Sequence, residues 1–155
     1  MSTHIEGSLV GTGMKIGIVS CRWNDFMGER MLEGAIGTLK QHDVADDDIT
    51  VVTVPGSYEI ALAAKTMAES GKYDALVCLG VLIRGGTIHF DLIASEASKG
   101  IANVSWQTGV PAAFGVITTE TMEQAIERAG SKAGNKGAEA ALAAIEMASL
   151  LTKLR

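Results

Sequence analysis

Four short apolar runs, rich in β-branched residues, do most to constrain the fold of this 155-residue chain. Each run is nearly continuous and does not alternate with polar residues, which is typical of strands buried on both faces of a parallel sheet. A sheet of such strands needs helices to cover both of its faces. The runs are 15–21 (KIGIVSC), 49–54 (ITVVTV), 75–83 (ALVCLGVLI) and 112–117 (AAFGVI).

The segments between these runs carry apolar residues at three- and four-residue spacing, which predicts helices. Strands and helices in regular succession imply right-handed crossovers. We therefore expect a single three-layer α/β/α domain over 1–155, with a central, mainly parallel four-stranded sheet. Residues 1–14 are expected to form an N-terminal arm, in which 7–12 are a possible extra strand. The predicted helices run from about 25 to 41, 60 to near 71, 90 to 105, 121 to 130 and 135 to about 151, with Asn24, Thr121 and Asn135 as N-caps.

Charge and cysteine content exclude several classes of function. The formal net charge of -5 argues against nonspecific nucleic-acid binding, which needs a basic face. Cys21 and Cys78 form no Cys-x-x-Cys pair, so we expect two buried reduced thiols and no disulfide or metal site. The first residues lack a secretion signal, and no apolar run reaches the ~18 residues that a membrane helix needs. These features favour a cytoplasmic protein.

Polar and aromatic residues follow each predicted strand. Because ligands of open parallel sheets bind beyond the carboxyl ends of the strands, we expect these residues to share one edge. No dinucleotide fingerprint, Walker lysine or nucleophile elbow is present there. The strands are followed or ended by 22–24 (RWN), 55–59 (PGSYE), 84–89 (RGGTIH) and 118–119 (TT).

Each candidate residue has a structural alternative. Trp23 either caps the core or stacks on a heteroaromatic ring. Glu59, in the first turn of a predicted helix, is favoured there by the helix dipole alone. The 85–87 turn (GGT) is either a plain turn or a nest of N–H groups for an anion, and His89 beside it is either structural or a proton carrier. The residues alone leave these alternatives open.

Two basic residues are not expected at this edge of the sheet within one chain. Lys136 is predicted in the first turn of the last helix, where a cation opposes the dipole. Arg128 is predicted near the end of the fourth helix, where a cation is favoured for structural reasons. Sequence logic places neither residue beside the cluster at the carboxyl edge.

Two segments form a very specific pattern: 79–91 (LGVLIRGGTIHFD), in which an arginine-glycine loop leads to His-aromatic-Asp, and 132–137 (KAGNKG), which contains Gly-Asn-Lys-Gly. With five further segments, they make the chain resemble lumazine synthases over about 5–149. Departures are mild: Trp23 stands where phenylalanine is usual, Gly85 where alanine is common, and Phe90 where tyrosine is frequent. The resemblance implies a flavodoxin-like fold. The segments that carry it are 9–13 (LVGTG), 22–26 (RWNDF), 54–60 (VPGSYEI), 79–91 (LGVLIRGGTIHFD), 114–119 (FGVITT), 124–130 (QAIERAG) and 132–137 (KAGNKG).

The resemblance also implies a role for each site residue. His89 would transfer protons, and the site would lie between adjacent subunits. A neighbouring subunit would contribute Phe114, Arg128 and Lys136, which accounts for the two misplaced cations. The implied pyrimidinedione and ribityl contacts are Trp23, Ser57, Glu59, Phe114 and Lys136, and the implied phosphate contacts are Gly86, Thr87 and Arg128.

The implied reaction condenses 5-amino-6-(D-ribitylamino)uracil with 3,4-dihydroxy-2-butanone 4-phosphate to give 6,7-dimethyl-8-ribityllumazine, in riboflavin biosynthesis. Carbonyl condensation needs no cofactor and no metal. The implied assembly is a pentamer, extended to an icosahedral shell of twelve pentamers because the 130–137 turn carries no insertion, and riboflavin binding at Trp23 is a further expectation. A flavin-binding relative without turnover and a purely structural shell are the alternatives from other classes.

Overall fold

The computed structural model describes residues 1–22, 25–84, 89–131 and 134–155. Its centre is a four-stranded sheet in the order β2-β1-β3-β4, with every pair parallel. The predicted α/β fold with a parallel sheet is confirmed. The fourth strand ends two residues later than predicted. The strands of this sheet are β1 (Ile16–Cys21), β2 (Ile49–Val54), β3 (Ala75–Ile83) and β4 (Ala112–Thr119).

The described residues form five α-helices, close to the predicted positions: three connect the strands of the sheet, and two follow β4. Asn135 caps the last helix as predicted, since its Oδ1 accepts from Ala138 N at 3.1 Å. Thr121 Oγ1 accepts from Gln124 N at 3.2 Å, whereas the Gln124 side chain accepts from Glu120 N, one residue earlier than in a standard capping box. The predicted cap at Asn24 lies outside the described residues. The helices are α1 (Asp25–Gln41), α2 (Ile60–Glu69), α3 (His89–Thr108), α4 (Met122–Arg128) and α5 (Lys136–Leu154).

Helices cover both faces of the sheet, because neighbouring side chains of a strand point to opposite faces. One face packs on α1 and α5 and takes Val77 and Leu79 from β3. The other face packs on α2 and α3 and takes Leu76 and Cys78 from the same strand. The burial of β1 and of most of β3 on both faces explains why their sequences are almost wholly apolar.

A short hairpin that the sequence did not predict links α4 to α5. Its strands are β5 (Ala129–Ser131) and β6 (Gly134–Asn135), which pair antiparallel. The Asn135 side-chain amide donates to Arg30 O at 3.0 Å and so ties this hairpin to α1. The hairpin is too short to leave a periodic signal in the sequence.

Glycine lets α5 pass very close to α1. A Cβ at Gly137 would collide with the main-chain carbonyl oxygen of Met31, and a Cβ at Gly34 would collide with the Asn135 side chain. Both helices contribute to the core on the same face of the sheet. Gly137 is therefore required by packing between the two helices.

The N-terminal arm forms no strand in its own chain, so the possible strand at 7–12 is absent here. The arm is nevertheless fastened to the body of the protein. Ser8 N donates to Ser149 Oγ at 3.0 Å, and Lys153 Nζ donates to Glu6 O at 2.8 Å. Gly11 N donates to His42 O at 2.7 Å. The arm therefore runs beside α5 and does not pair with the strands of the sheet.

Two further expectations have outcomes in the structure. Cys21 and Cys78 are both buried free thiols, as predicted. In the described ranges, no helix is both long enough and apolar enough to cross a membrane.

Candidate active site

A pocket of about 1000 Å³ lies at the carboxyl edge of the sheet, between α3 and the turn that precedes α2. Ser57, Glu59 and His89 all line it. We call it the carboxyl-edge pocket. Topology predicted that the residues after the second and third strands would meet, and the structure brings these three together. Its size is in the range of pockets that bind drug-sized ligands, roughly 300–1,000 Å³.

The residues after β2 form a 3₁₀ turn (Ser57–Glu59) that leads directly into α2. Glu59 was predicted in the first turn of a helix and is instead the last residue of this turn. Its side chain makes no capping hydrogen bond to α2. The exposed Glu59 carboxylate therefore makes no capping hydrogen bond, although at the N-cap of α2 it is still favoured by the helix dipole.

Ser57 is the buried member of this turn, with 5% of its surface exposed. Its hydroxyl oxygen lies 3.6 Å from Cys21 Sγ, at the end of β1. Cys21 also lines the pocket. Burial raises the pKa of the Cys21 thiol, and the nearby negative charge of Glu59 raises it further, against a lowering effect of the Ser57 hydrogen bond. The thiol is therefore protonated at neutral pH and is a poor nucleophile.

His89 is the first residue of α3, and its side chain is exposed at the pocket. An imidazole in this position can donate a proton to a ligand in the pocket or accept one from it. Among the described residues, no group of three histidine, cysteine, aspartate or glutamate side chains could hold a metal ion.

A second pocket, of about 690 Å³, contains two of the residues that the resemblance assigns to a neighbouring subunit. Phe114, 40% exposed on β4, and Arg128, at the end of α4, both line it. We call it the β4-side pocket. In the described part of the chain, no hydrogen bond or ion pair engages the Arg128 guanidinium, so this cation is available to an anion.

Helix α3 stands between the two pockets. Ile93 and Glu96 line the carboxyl-edge pocket, whereas Ala94 and Ser98 line the β4-side pocket. Because successive residues of a helix are about 100° apart, these two pairs lie on different sides of α3. Arg128 therefore does not line the pocket of His89 within one chain.

Arg84 joins three elements beside these pockets. Its guanidinium pairs with Asp91 at the start of α3 and with Glu120 after β4, each at 3.1 Å, and lies 4.6 Å from the centre of the Phe90 ring. The hydrogen bond to Asp91 is the main cause that raises the pKa of Arg84. Because two carboxylates neutralise Arg84, it is a weaker candidate than Arg128 for binding an anionic ligand.

The remaining predicted site residues are not brought into either pocket by the described structure. Lys136 begins α5, as predicted, and lines neither pocket. Trp23, Gly86 and Thr87 lie outside the described residues. Their predicted roles in ring stacking and phosphate binding stay predictions.

Sequence reasoning missed the parts played by Cys21 and Arg84. Cys21 was predicted only as a buried thiol, because a strand-terminal cysteine gives no sign of which side chain it meets. Arg84 carried a weak signal, since an arginine seven residues before Asp91 spans the start of a helix. Its second partner, Glu120, follows a different strand and could not be paired with it from the sequence.

The fold and the pocket define the class of protein: an α/β protein with a pocket of small-molecule size at the carboxyl edge of a parallel sheet. Residues 13–152 match the family model described as 6,7-dimethyl-8-ribityllumazine synthase. The chain belongs to this family, the lumazine synthases, which are transferases of riboflavin biosynthesis. The family implies small-molecule substrates and oligomeric assembly.

Proposed function

We propose that this chain condenses 5-amino-6-(D-ribitylamino)uracil with 3,4-dihydroxy-2-butanone 4-phosphate to form 6,7-dimethyl-8-ribityllumazine. The observation that carries the proposal is the meeting of Ser57, Glu59 and His89 in one pocket, in a chain whose family catalyses this synthesis. The pocket offers a buried hydroxyl, a carboxylate and an imidazole. These groups suit a polar ligand that must also exchange protons.

In this proposal the amine of the pyrimidine attacks the ketone, and loss of water gives an imine. Elimination of phosphate, ring closure and loss of a second water follow. Holding two reactants in place can supply roughly 7–11 kcal/mol in the best intramolecular cases. A positioned acid or base adds only about 10²–10⁴-fold in rate. We therefore assign the larger share of catalysis to binding, and proton transfer to His89.

The remaining site residues take the roles that the resemblance implies. Ser57 and Glu59 bind the ribityl chain, and Trp23 stacks on the pyrimidinedione. Gly86 and Thr87 hold the phosphate through the loop before α3. We propose this arrangement as the part of the site that each chain contributes to its own pocket.

The other part of the site comes from an adjacent subunit, which supplies Phe114, Arg128 and Lys136. The linings of the two pockets support this division, since Phe114 and Arg128 line the β4-side pocket and not the carboxyl-edge pocket of their own chain. A guanidinium that has no partner among the described residues suits a phosphate, which it can contact in a bidentate way. Two adjacent copies therefore make one complete site.

A site built from two chains needs a head-to-tail contact, and head-to-tail contacts that close make rings. We propose a pentamer, and twelve pentamers as an icosahedral shell, because the 130–137 turn is short and tied to α1 through Asn135. The arm residues 7–12 would add to a sheet edge of the neighbouring subunit in place of their contacts within their own chain. Native mass measurement tests the assembly: a stable species of only five or ten chains across pH and phosphate conditions would contradict the shell.

The decisive experiment for the reaction follows the absorbance of the lumazine product with both substrates present. Omission of either substrate is the control and should abolish the signal. Tight binding of the pyrimidine without product formation would instead support the alternative, a flavin- or lumazine-binding relative that has lost turnover.

A further inference from the structure

The floor of the carboxyl-edge pocket is built where three strands come side by side. Cys21 ends β1, and Ser57 follows β2. Gly80 lies in β3, close to both of these side chains and to Ile60 at the start of α2. The Cys21 thiol and the Ser57 hydroxyl are 3.6 Å apart, with 8% and 5% of the two residues exposed. The three residues therefore form one buried unit, which we call the pocket floor.

The absence of a side chain at Gly80 leaves the space in which the Ser57 hydroxyl lies. A Cβ on Gly80 would lie 2.7 Å from Ser57 Oγ and 3.2 Å from Cys21 Sγ. It would also lie 3.2 Å from Ile60 Cδ1, the end of a flexible side chain, so the closest approach is the one to the Ser57 hydroxyl. The hydroxyl thus fills the space that any side chain at position 80 would occupy.

Cys21 gives the same hydroxyl its orientation. In the described part of the chain, Cys21 Sγ is the side-chain partner of Ser57 Oγ. Burial keeps the thiol protonated by raising its pKa, so the thiol can either donate to the hydroxyl or accept from it. A serine hydroxyl has one donor and two acceptor positions, so one contact with sulfur leaves capacity for a ligand in the pocket.

We propose that Cys21 is a positioning residue of this pocket, which acts through Ser57 and orients the serine hydroxyl over Gly80 toward a hydroxyl of the bound ligand's polyol chain. The inference rests on the proposed function for the identity of that ligand. Cys21 itself neither reacts nor contacts the atoms that change. Its effect is on binding of the polyol-bearing substrate, and it leaves the ketose phosphate unaffected.

Calorimetric titration with 5-amino-6-(D-ribitylamino)uracil alone tests the proposal, since no turnover occurs with one substrate. Cys21→Ala should raise Kd by about two- to tenfold, as for loss of one weak hydrogen bond. Cys21→Ser should restore most of the affinity because a hydroxyl keeps both a donor and an acceptor. The matched control is Cys78→Ala, a second buried thiol that does not line the pocket, and its Kd should equal that of the wild type.

A double-variant cycle separates positioning from a general structural effect. In a Ser57→Ala background, Cys21→Ala should have no further effect on Kd, while KM for the ketose phosphate should stay within about twofold throughout. Gly80→Ala should weaken pyrimidine binding in the wild type more than in the Ser57→Ala background. Circular dichroism of each variant confirms that folded protein is being titrated.

Each outcome of these experiments decides either the positioning role of Cys21 or the proposed reaction. An equal loss of affinity from Cys21→Ala with and without Ser57 would overturn the positioning role. Pyrimidine binding with the expected cycle but no lumazine formed on addition of the ketose phosphate would overturn the proposed reaction alone. A wild type that does not bind the pyrimidine would overturn both.

Discussion

Mixing two inactive variants should restore activity if the site is shared between subunits. Glu59→Ala removes a carboxylate from the carboxyl-edge pocket, and Arg128→Ala removes the cation of the β4-side pocket. Each homogeneous variant should be nearly inactive because every site lacks one group. The two pockets lie on different sides of α3, so the two defects fall in different halves of a shared site.

The size of the recovery follows from this geometry. In a ring assembled from equal amounts of both variants, about half of the chains carry an intact carboxyl-edge pocket, and about half of their neighbours carry an intact Arg128. About one quarter of the sites are then complete, whatever the number of chains in the closed ring. The rate of lumazine formation after joint unfolding and refolding should therefore approach about one quarter of the wild-type rate.

Mixing Glu59→Ala with His89→Ala is the matched control. Both residues line the same pocket, so every site in the mixture is defective and the rate should not exceed the mean of the two variants. Native mass spectrometry confirms that the chains have mixed. The absence of recovery in well-mixed oligomers of Glu59→Ala and Arg128→Ala would refute the shared site.

Four single substitutions complete the tests. His89→Ala should slow turnover by about one to three orders of magnitude without unfolding the protein, because holding the two substrates together contributes more to the rate than proton transfer does. A variant as active as wild type in stopped-flow assays would contradict this. Arg128→Lys should recover only part of the activity lost in Arg128→Ala, since an ammonium cannot contact phosphate in a bidentate way; full recovery in steady-state assays would argue against that contact. Gly137→Ala should lower the free energy of unfolding by about 1–3 kcal/mol through overpacking, whereas Gly37→Ala on α1, with open space around it, should not destabilise in the same denaturant titrations. Trp23→Phe should weaken riboflavin binding, followed by fluorescence quenching, because phenyl offers less stacking area than indole, and equal affinities would remove the stacking argument.

The main elements of the fold could be predicted because local pattern and burial agree. The apolar runs that became β1 and β3 are buried on both faces, so their sequences carry no competing polar signal. The hairpin of β5 and β6 could not be predicted, since three and two residues are too few to show a period. Its position is set instead by contacts with α1, which are distant in sequence.

The candidate site was predictable where topology alone decides and unpredictable where packing decides. Parallel strands bring their carboxyl ends together, which placed Ser57 and His89 at one edge. The contact between Ser57 and Cys21 depends on how far each strand end projects, and the position of Arg128 beyond α3 depends on the path of β4 and α4. Neither distance has a signature in residue spacing.

The hydrogen bonds that hold the N-terminal arm determine which substitutions the arm can tolerate. Most of its hydrogen bonds use the arm's own main-chain groups, such as Glu6 O, Leu9 O and Gly11 N. A substitution at Leu9 or Val10, both exposed, leaves these bonds in place and so does not release the arm. The path of the arm thus depends on its main-chain groups and not on the identity of its exposed side chains. Such substitutions change only the surface that the arm presents to other molecules, while its hydrogen bonds beside α5 stay in place.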